Sequence, residues 1–333
     1  MTDREYHPSG EDALIARYFK PLATDPGALG LVDDAAILGA RGEDIVVTTD
    51  AVVAGVHFLP EDPPDTVARK ALRVNLSDLA AKGATPAGFV LTLALPRAEE
   101  AWLAAFARGL GDDAAQYGCP LLGGDTVSTP GPMMVSITAF GRVPAGRMIP
   151  RTGARPGDRI MVTGTIGDAT LGLDILKGGL VGAALADQGE AREFLIGRYR
   201  VPQPRNVLAL ALRDHASAAM DVSDGLAGDL AKLCAASSVS AAIDVPAIPV
   251  SEAAGGLLAR GVIGIEALVS GGDDYEVLCT VPDALCERLA EAARSAGVLL
   301  SVIGQIEPGR RAPRFLDAQG RAIELAHRSY SHF

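Results

Sequence analysis

The sequence predicts an α+β protein built from two mixed α/β-sheet domains. The chain has 333 residues, more than one ordinary core takes up, so two domains are expected. Hydrophobic residues make up 48% of it, ample for burial and far from the composition of a disordered chain. Helical and strand patterns mix in both halves without a strict strand–helix–strand alternation, which favours α+β over a doubly wound sheet.

Taken in order, "PSGEDALIARYF" reads as a helix opened by a capping box, Ser9 with Asp12 three positions on. "DIVVTTDAVVAGVHF" (44–58) is rich in valine and threonine, as a strand should be. "DTVARKALRVNLSDLAAKG" (65–83) is a helix with Asp65 at its start and Gly83 as its stop. A second helix, "EEAWLAAFARGLGDDAAQYG" (99–118), precedes a strand running into "LLGGDT", and "MMVSITAFGRV" (133–143) is another strand. The Pro- and Gly-rich "VPAGRMIPRTGARPGD" (143–158) reads as a hinge, so the expected domains are 1–148 and 149–333. Beyond it, the strand "DRIMVTG" leads through a Gly turn to the helix "GDATLGLDILKGG", and a further helix begins near Arg205. "AAMDVSDGLAGDL" (218–230) is a strand-to-helix turn, "SAAIDVP" a strand, "PDALCERLAEAARSAG" a helix and "LLSVIGQI" the closing strand. No internal repeat or low-complexity tract is present.

Composition excludes several classes of function. The formal net charge is −11 and no basic stripe is visible, which argues against a nucleic-acid partner. The longest apolar stretches, such as "GFVLTLALP" (88–96), fall short of a bilayer span. The first twenty residues hold no apolar signal region. A cytoplasmic protein with no membrane partner is expected. Cys119, Cys234, Cys279 and Cys286 lack paired spacing and lie among apolar neighbours, as reduced core thiols do.

Acidic residues recur where elements end. Asp33 and Asp34 lie in "GLVDDAAIL", Asp50 ends "TTD", and Asn75 and Asp78 share a helix face in "NLSD". Asp125 sits in "GGDT", Asp221 and Asp224 in "DVSDG", and Asp273 and Asp274 in "SGGDDYE". Each can be read alone as a turn or cap residue. Asp78 fits that reading worst, being mid-helix beside Leu76, Leu79 and Ala80, where an unpaired carboxylate is expensive. If several of these aspartates converge they repel one another, and a hard divalent cation resolves the repulsion. Mg²⁺ prefers a few carboxylates, water and substrate phosphates. No G-x-x-x-x-G-K-[ST] loop and no H-R-D set occurs, while the glycines of "LLGGDT" and "SGG" allow backbone amides to approach phosphate.

The segments "GLVDDAAIL", "TTDAVVAGVHF", "ALRVNLSDLAAKGATP", "LLGGDT", "PRTGARPGD", "MDVSDGL" and "SGGDDYE" follow in an order that resembles the thiamine-monophosphate kinase family. That family belongs to the aminoimidazole-ribonucleotide-synthetase-like superfamily of ATP-binding proteins, and the resemblance runs from "LIARYF" to the final "YSHF". It implies an N-terminal domain supplying most of the metal and nucleotide site, a C-terminal domain closing over it, and a homodimer whose N-terminal sheets join. It implies that Asp34, Thr48, Thr49, Asp50, Asp78, Asp125, Asp221 and Asp224 hold several Mg²⁺ ions directly or through water. Gly124, Asp125, Arg151 and Ser223 would contact ATP, with Asp125 and Arg151 at the reacting phosphates. His57, Asp273 and His327 would face thiamine monophosphate. Two positions depart from the family pattern: Asp273 stands where a glutamate is usual, and His327, in "ELAHRSY", where an aromatic residue, most often tryptophan, packs on the substrate ring. Two alternatives remain open, another phosphate-activating ATP-dependent synthetase of the same superfamily and a non-catalytic Mg²⁺–nucleotide-binding module.

Overall fold

The structure is a computed structural model that describes residues 14–26, 40 and 42–325. The capping box at Ser9 and Asp12, the Asp33–Asp34 pair and His327 lie outside the described residues. The chain forms two compact units. The first takes Val47–Asn75, Pro86–Arg142 and the described part of Met1–Arg41; the second takes Gly42–Val46, Leu76–Thr85 and the described part of Val143–Phe333.

The first unit is built on strands β1 (Glu43–Val53), β2 (Thr85–Leu95), β3 (Leu121–Ser128) and β4 (Met134–Pro144), ordered β1-β4-β2-β3. Helices α1 (Pro64–Ala81) and α2 (Glu100–Gln116) accompany them. β4 shows the period of a strand with one face on a core: Val135, Ile137 and Ala139 are fully buried and their alternate neighbours are not. β2 carries most of the apolar stretch 88–96; Phe89, Leu91 and Leu93 are buried with Val90 and Thr92 less so between them, and the alternation breaks at Ala94, which is buried beside Leu95. Gly83 stops α1 with φ +68°, a left-handed conformation that glycine adopts without strain. Where the sequence predicts an α-helix into "ARYF", the described backbone is a π-type turn at Ile15–Phe19 followed by a 3₁₀ turn at Lys20–Leu22. Pro21 has no amide to extend a helix.

The second unit holds a seven-stranded sheet. Its strands are β5 (Arg159–Thr163), β6 (Ala218–Asp221), β7 (Ser240–Asp244), β8 (Val277–Val281), β9 (Leu300–Glu307), β10 (Arg314–Leu316) and β11 (Ala322–Ile323). They are ordered β11-β10-β7-β9-β5-β8-β6. β5 runs antiparallel to both β8 and β9, whereas β7 and β10 are parallel. Both faces are covered. Ile160, Val162, Ala218 and Met220 point into one core, with Leu226, Leu230 and Leu233. Met161 and Ala219, one step away on the same strands, point into the other, with Leu212 and Leu289. The strand period of two feeds two cores from one sheet. The helices are α3 (Asp168–Leu176), α4 (Leu180–Ala184), α5 (Gly189–Arg200), α6 (Ala209–His215), α7 (Leu226–Ser237), α8 (Glu252–Ala259), α9 (Ile265–Val269) and α10 (Cys286–Ser295). β9, expected to close the fold, is an interior strand; β10 and β11 follow it and are too short to carry a pattern.

All four cysteines are free, and Cys119, Cys234 and Cys279 are buried. Burial pushes the Cys119 and Cys279 thiols up to about 12, so neither is a nucleophile at neutral pH. Among the described residues no helix is long and apolar enough to cross a membrane.

Candidate active site

In the second unit, β6 ends at Asp221, which is 7% exposed, and the chain turns into α7 over 222–225. Gly225 has φ +109°, and a Cβ there would stand 2.8 Å from the Ser270 carbonyl carbon, so glycine is required twice over. Asp229, fully buried in the first turn of α7, caps this turn from inside the helix. Its Oδ2 accepts from the Ser223 amide at 3.0 Å and the Asp224 amide at 2.9 Å. Burial raises the Asp229 carboxyl above its ordinary range, opposed by Lys232. The Lys232 ammonium reaches Asp229 at 2.8 Å and Asp224 at 2.5 Å. Of the three aspartates in 218–230, Asp229 therefore has a structural role.

A second loop, 270–276, locks onto the first. The Asp273 amide donates to the Ser223 carbonyl and the Tyr275 amide to the Val222 carbonyl, both at 2.8 Å. Asp273 (φ 71°) and Tyr275 (φ 51°) are left-handed, a conformation non-glycine residues hold only when the surroundings impose it. Those surroundings are buried acids. Asp274 accepts from the Gly167 amide at 2.8 Å. Glu276 accepts from Thr163 Oγ1 at 2.7 Å, Arg198 at 2.8 Å and Arg205 Nε at 2.6 Å. Asp273 itself is half-buried, and its Oδ1 accepts from the Tyr275 hydroxyl at 3.2 Å.

The end of α1 belongs to the same unit. Asn206 Nδ2 donates to the Leu76 carbonyl at 3.0 Å. Asp78 lies in the last turn of α1 rather than mid-helix, because the helix ends at Ala81, and it is half-buried. One turn on, Lys82 Nζ donates to the Ala219 carbonyl at 2.7 Å, two residues before Asp221. Burial lowers the Lys82 pKa, as does the Arg151 charge, while Asp221 and Asp78 pull it back up. The charges of Asp78, Asp221 and Arg151 thus all act on a lysine absent from the sequence-derived site. A lysine just past a helix end reads as a dipole-complementing charge; its i,i+4 spacing from Asp78 is the signal that could have found it.

The first unit holds the remaining described candidates. Thr49 Oγ1 on β1 donates to the Ile137 carbonyl at 3.2 Å and accepts from Thr138 Oγ1 at 2.9 Å. Thr48 and Asp50 flank it, and Asp50 is exposed. On β3, Asp125 is exposed, and a Cβ on Gly124 would stand 2.0 Å from the Leu91 carbonyl oxygen, so the β2–β3 pairing itself demands glycine. β1 and β3 are the two edges of the four-stranded order, about 14 Å apart at ordinary strand spacing. The sheet alone does not bring Asp50 to Asp125. His57 Nδ1 accepts from the Val53 amide at 3.1 Å, which leaves the proton of the neutral ring on Nε2.

Carboxylates and threonine hydroxyls are the hard oxygen donors that Mg²⁺ takes, so the donor chemistry fits that ion. Among the described residues, no three His, Cys, Asp or Glu side chains form a group that could hold a metal ion.

Residues 32–143 match the family described as AIR synthase related protein, N-terminal domain, and residues 155–315 its C-terminal domain. The thiamine-monophosphate kinase of Caulobacter vibrioides is 44% identical, over 98% of this chain and 91% of that protein. The chain belongs to the thiamine-monophosphate kinase family. A crystal structure of thiamine-monophosphate kinase from Stenotrophomonas maltophilia is similar at a TM-score of 0.81 and 39% identity, covering 94% of this chain and 98% of that one. AaThiL complexed with AMPPCP and TMP is similar at a TM-score of 0.75 and 28% identity, covering 92% and 97%. Family membership covers both units, so the α+β class and the kinase activity expected from the motifs stand.

Proposed function

We propose that this protein is a thiamine-monophosphate kinase, transferring the γ-phosphate of ATP to thiamine monophosphate to give thiamine diphosphate and ADP. The 44% identity to a thiamine-monophosphate kinase over nearly the whole of both chains carries that reading. The bond between the β,γ-bridging oxygen and the γ-phosphorus breaks as an acceptor phosphate oxygen bonds that phosphorus in line. The acceptor is already anionic, so no general base is needed; the barrier lies in bringing two polyanions together. Mg²⁺, when bound, supplies charge neutralisation and alignment.

Asp34, Thr48, Thr49, Asp50, Asp78, Asp125, Asp221 and Asp224 are the residues proposed to hold several such ions. Arg151, exposed on the turn before β5, offers a guanidinium to the transferring phosphate, and Asp125 is the other residue proposed to act in the transfer. Gly124 and Ser223 contact ATP. In support, the Ser223 backbone is fixed at both its amide and its carbonyl. His57, Asp273 and His327 face thiamine monophosphate, with the His57 Nε2–H as a donor. Residues 1–148 supply most metal, nucleotide and dimer contacts in this reading, and 149–333 supply the rest. The protein acts in the cytoplasm as a homodimer joined through the first unit's sheets. Val47, 58% exposed on edge strand β1, supports that interface.

Incubation with γ-labelled ATP, Mg²⁺ and thiamine monophosphate should place the label in thiamine diphosphate. ATP consumption without labelled thiamine diphosphate would return the choice to another synthetase of the superfamily, and no consumption at all to a binding module.

A further inference from the structure

We infer that Lys82 is a resident counter-ion of the Asp78–Asp221 pair, and that it makes divalent-cation binding at this pair wait for the nucleotide's phosphates. The inference rests on the reading of Asp78 and Asp221 as Mg²⁺ ligands. Lys82 is held in place from several sides. Its amide closes the last turn of α1 on the Asp78 carbonyl at 2.9 Å, its carbonyl accepts from the Ile149 amide at 3.2 Å, and its ammonium is pinned to the Ala219 carbonyl at 2.7 Å. Asp78 lies one helical turn before it, and Asp221 two residues beyond Ala219 on β6. Both carboxylates act electrostatically on the ammonium, and so does the Arg151 guanidinium.

Four charges then cancel: the Asp78 and Asp221 carboxylates against the Lys82 ammonium and the Arg151 guanidinium. A bare divalent ion approaching this group finds no net negative charge and must share each carboxylate with a fixed cation. An ATP-bound divalent ion is different. It arrives net anionic, so Lys82 and Arg151 attract the complex, and its phosphate oxygens supply ligands that the two carboxylates do not. Lys232 makes a contrast. It also bridges two aspartates, Asp224 and Asp229, but its side chain is 42% exposed, so it can swing off Asp224 into water.

The test is a calorimetric titration of metal-free, full-length protein, first with Mg²⁺ alone and then with Mg²⁺ plus a non-hydrolysable ATP analogue. Lys82→Gln should bind free Mg²⁺ at least tenfold more tightly than wild type, and its dependence on the nucleotide should shrink. Lys82→Arg, which keeps the charge, should bind free Mg²⁺ as weakly as wild type. A lysine that only pins the Ala219 carbonyl predicts lower melting and no gain in Mg²⁺ affinity. Lys82→Met preserves the apolar stem and takes the place of Lys82→Gln if that variant does not fold; loss of folding in both would make Lys82 a structural pin and overturn the inference. Unchanged or weaker free Mg²⁺ binding in a folded variant would overturn it while leaving the kinase reading intact. Absence of Mg²⁺ uptake by wild type even with nucleotide would bring down the metal-ligand reading and the inference together.

Discussion

Asp78 shows how a single neighbour changes an electrostatic expectation. Converging aspartates without metal should repel one another, but this carboxylate has Lys82 one turn away and acts on its charge. Asp78→Asn therefore takes a partner from a half-buried lysine, and metal-free protein should melt no higher than wild type. Its kcat/KM should fall about a thousandfold, roughly 4 kcal/mol of lost transition-state stabilisation. Melting curves and steady-state kinetics check both, and near-normal kcat/KM would remove Asp78 from the site. Asp273 asks for a different substitution. Its φ of 71° is one that Asn tolerates well, so Asp273→Asn removes the charge and keeps the backbone. The KM for thiamine monophosphate should rise while that for ATP stays within about threefold, as for a contact made equally in ground and transition state. Equal rises in both would assign Asp273 to the loop and not to the substrate.

At the scale of elements, the loop 270–276 is positioned by acids that no solvent reaches. Burial holds the Asp274 carboxyl well above the ordinary carboxylate range, against the Gly167 amide and the Arg198 charge, which favour ionisation. A raised native pKa means the folded state keeps a proton that the unfolded chain has lost. This group's contribution to stability is therefore greatest at low pH and is lost as pH rises from the unfolded value, about 4, through the native one. Asp274→Asn cannot titrate, so its melting temperature relative to wild type should become more favourable as pH is raised from about 4 to about 7. A difference independent of pH would show that Asp274 is ionised in the native state throughout. Gly124 makes a second case at this scale. Gly124→Ala drives a methyl into the Leu91 carbonyl and should destabilise the first unit by about 1–3 kcal/mol, the usual range for overpacking. Denaturant unfolding without nucleotide measures this apart from any loss of ATP contact.

For the whole molecule, sedimentation at micromolar concentration should give about twice the mass of the 333-residue chain. A monomer with full activity would exclude the proposed dimer. Mg²⁺ with an ATP analogue should raise the melting temperature more than the two separate shifts combined, because each ligand improves the other's site and binding to the native state adds to stability. Additive shifts would argue against a shared metal–nucleotide site.

The α+β class, the helix at 65–83 with its Gly83 stop, the strand–turn–helix around Asp221 and the family itself were all legible in the sequence. Each depends on chemistry that spans a few positions: a two- or near-four-residue period, a cap, a glycine free to turn left-handed, a run of motifs in a set order. Only the tertiary structure decided which acids do what. Asp229 and Asp224 look alike in "DVSDGLAGDL" and share Lys232, yet burial in α7 makes Asp229 alone the cap of the turn. Gly124 reads as a phosphate-approach glycine, yet the Leu91 carbonyl beside it already forbids any side chain. The Asp78–Lys82–Asp221 group joins a helix end to a strand about 140 residues later, a separation that no local pattern spans. Such groupings arise when elements pack, because burial and the long-range placement of charge are properties of the packed sheet and its helices, and no short segment possesses them alone.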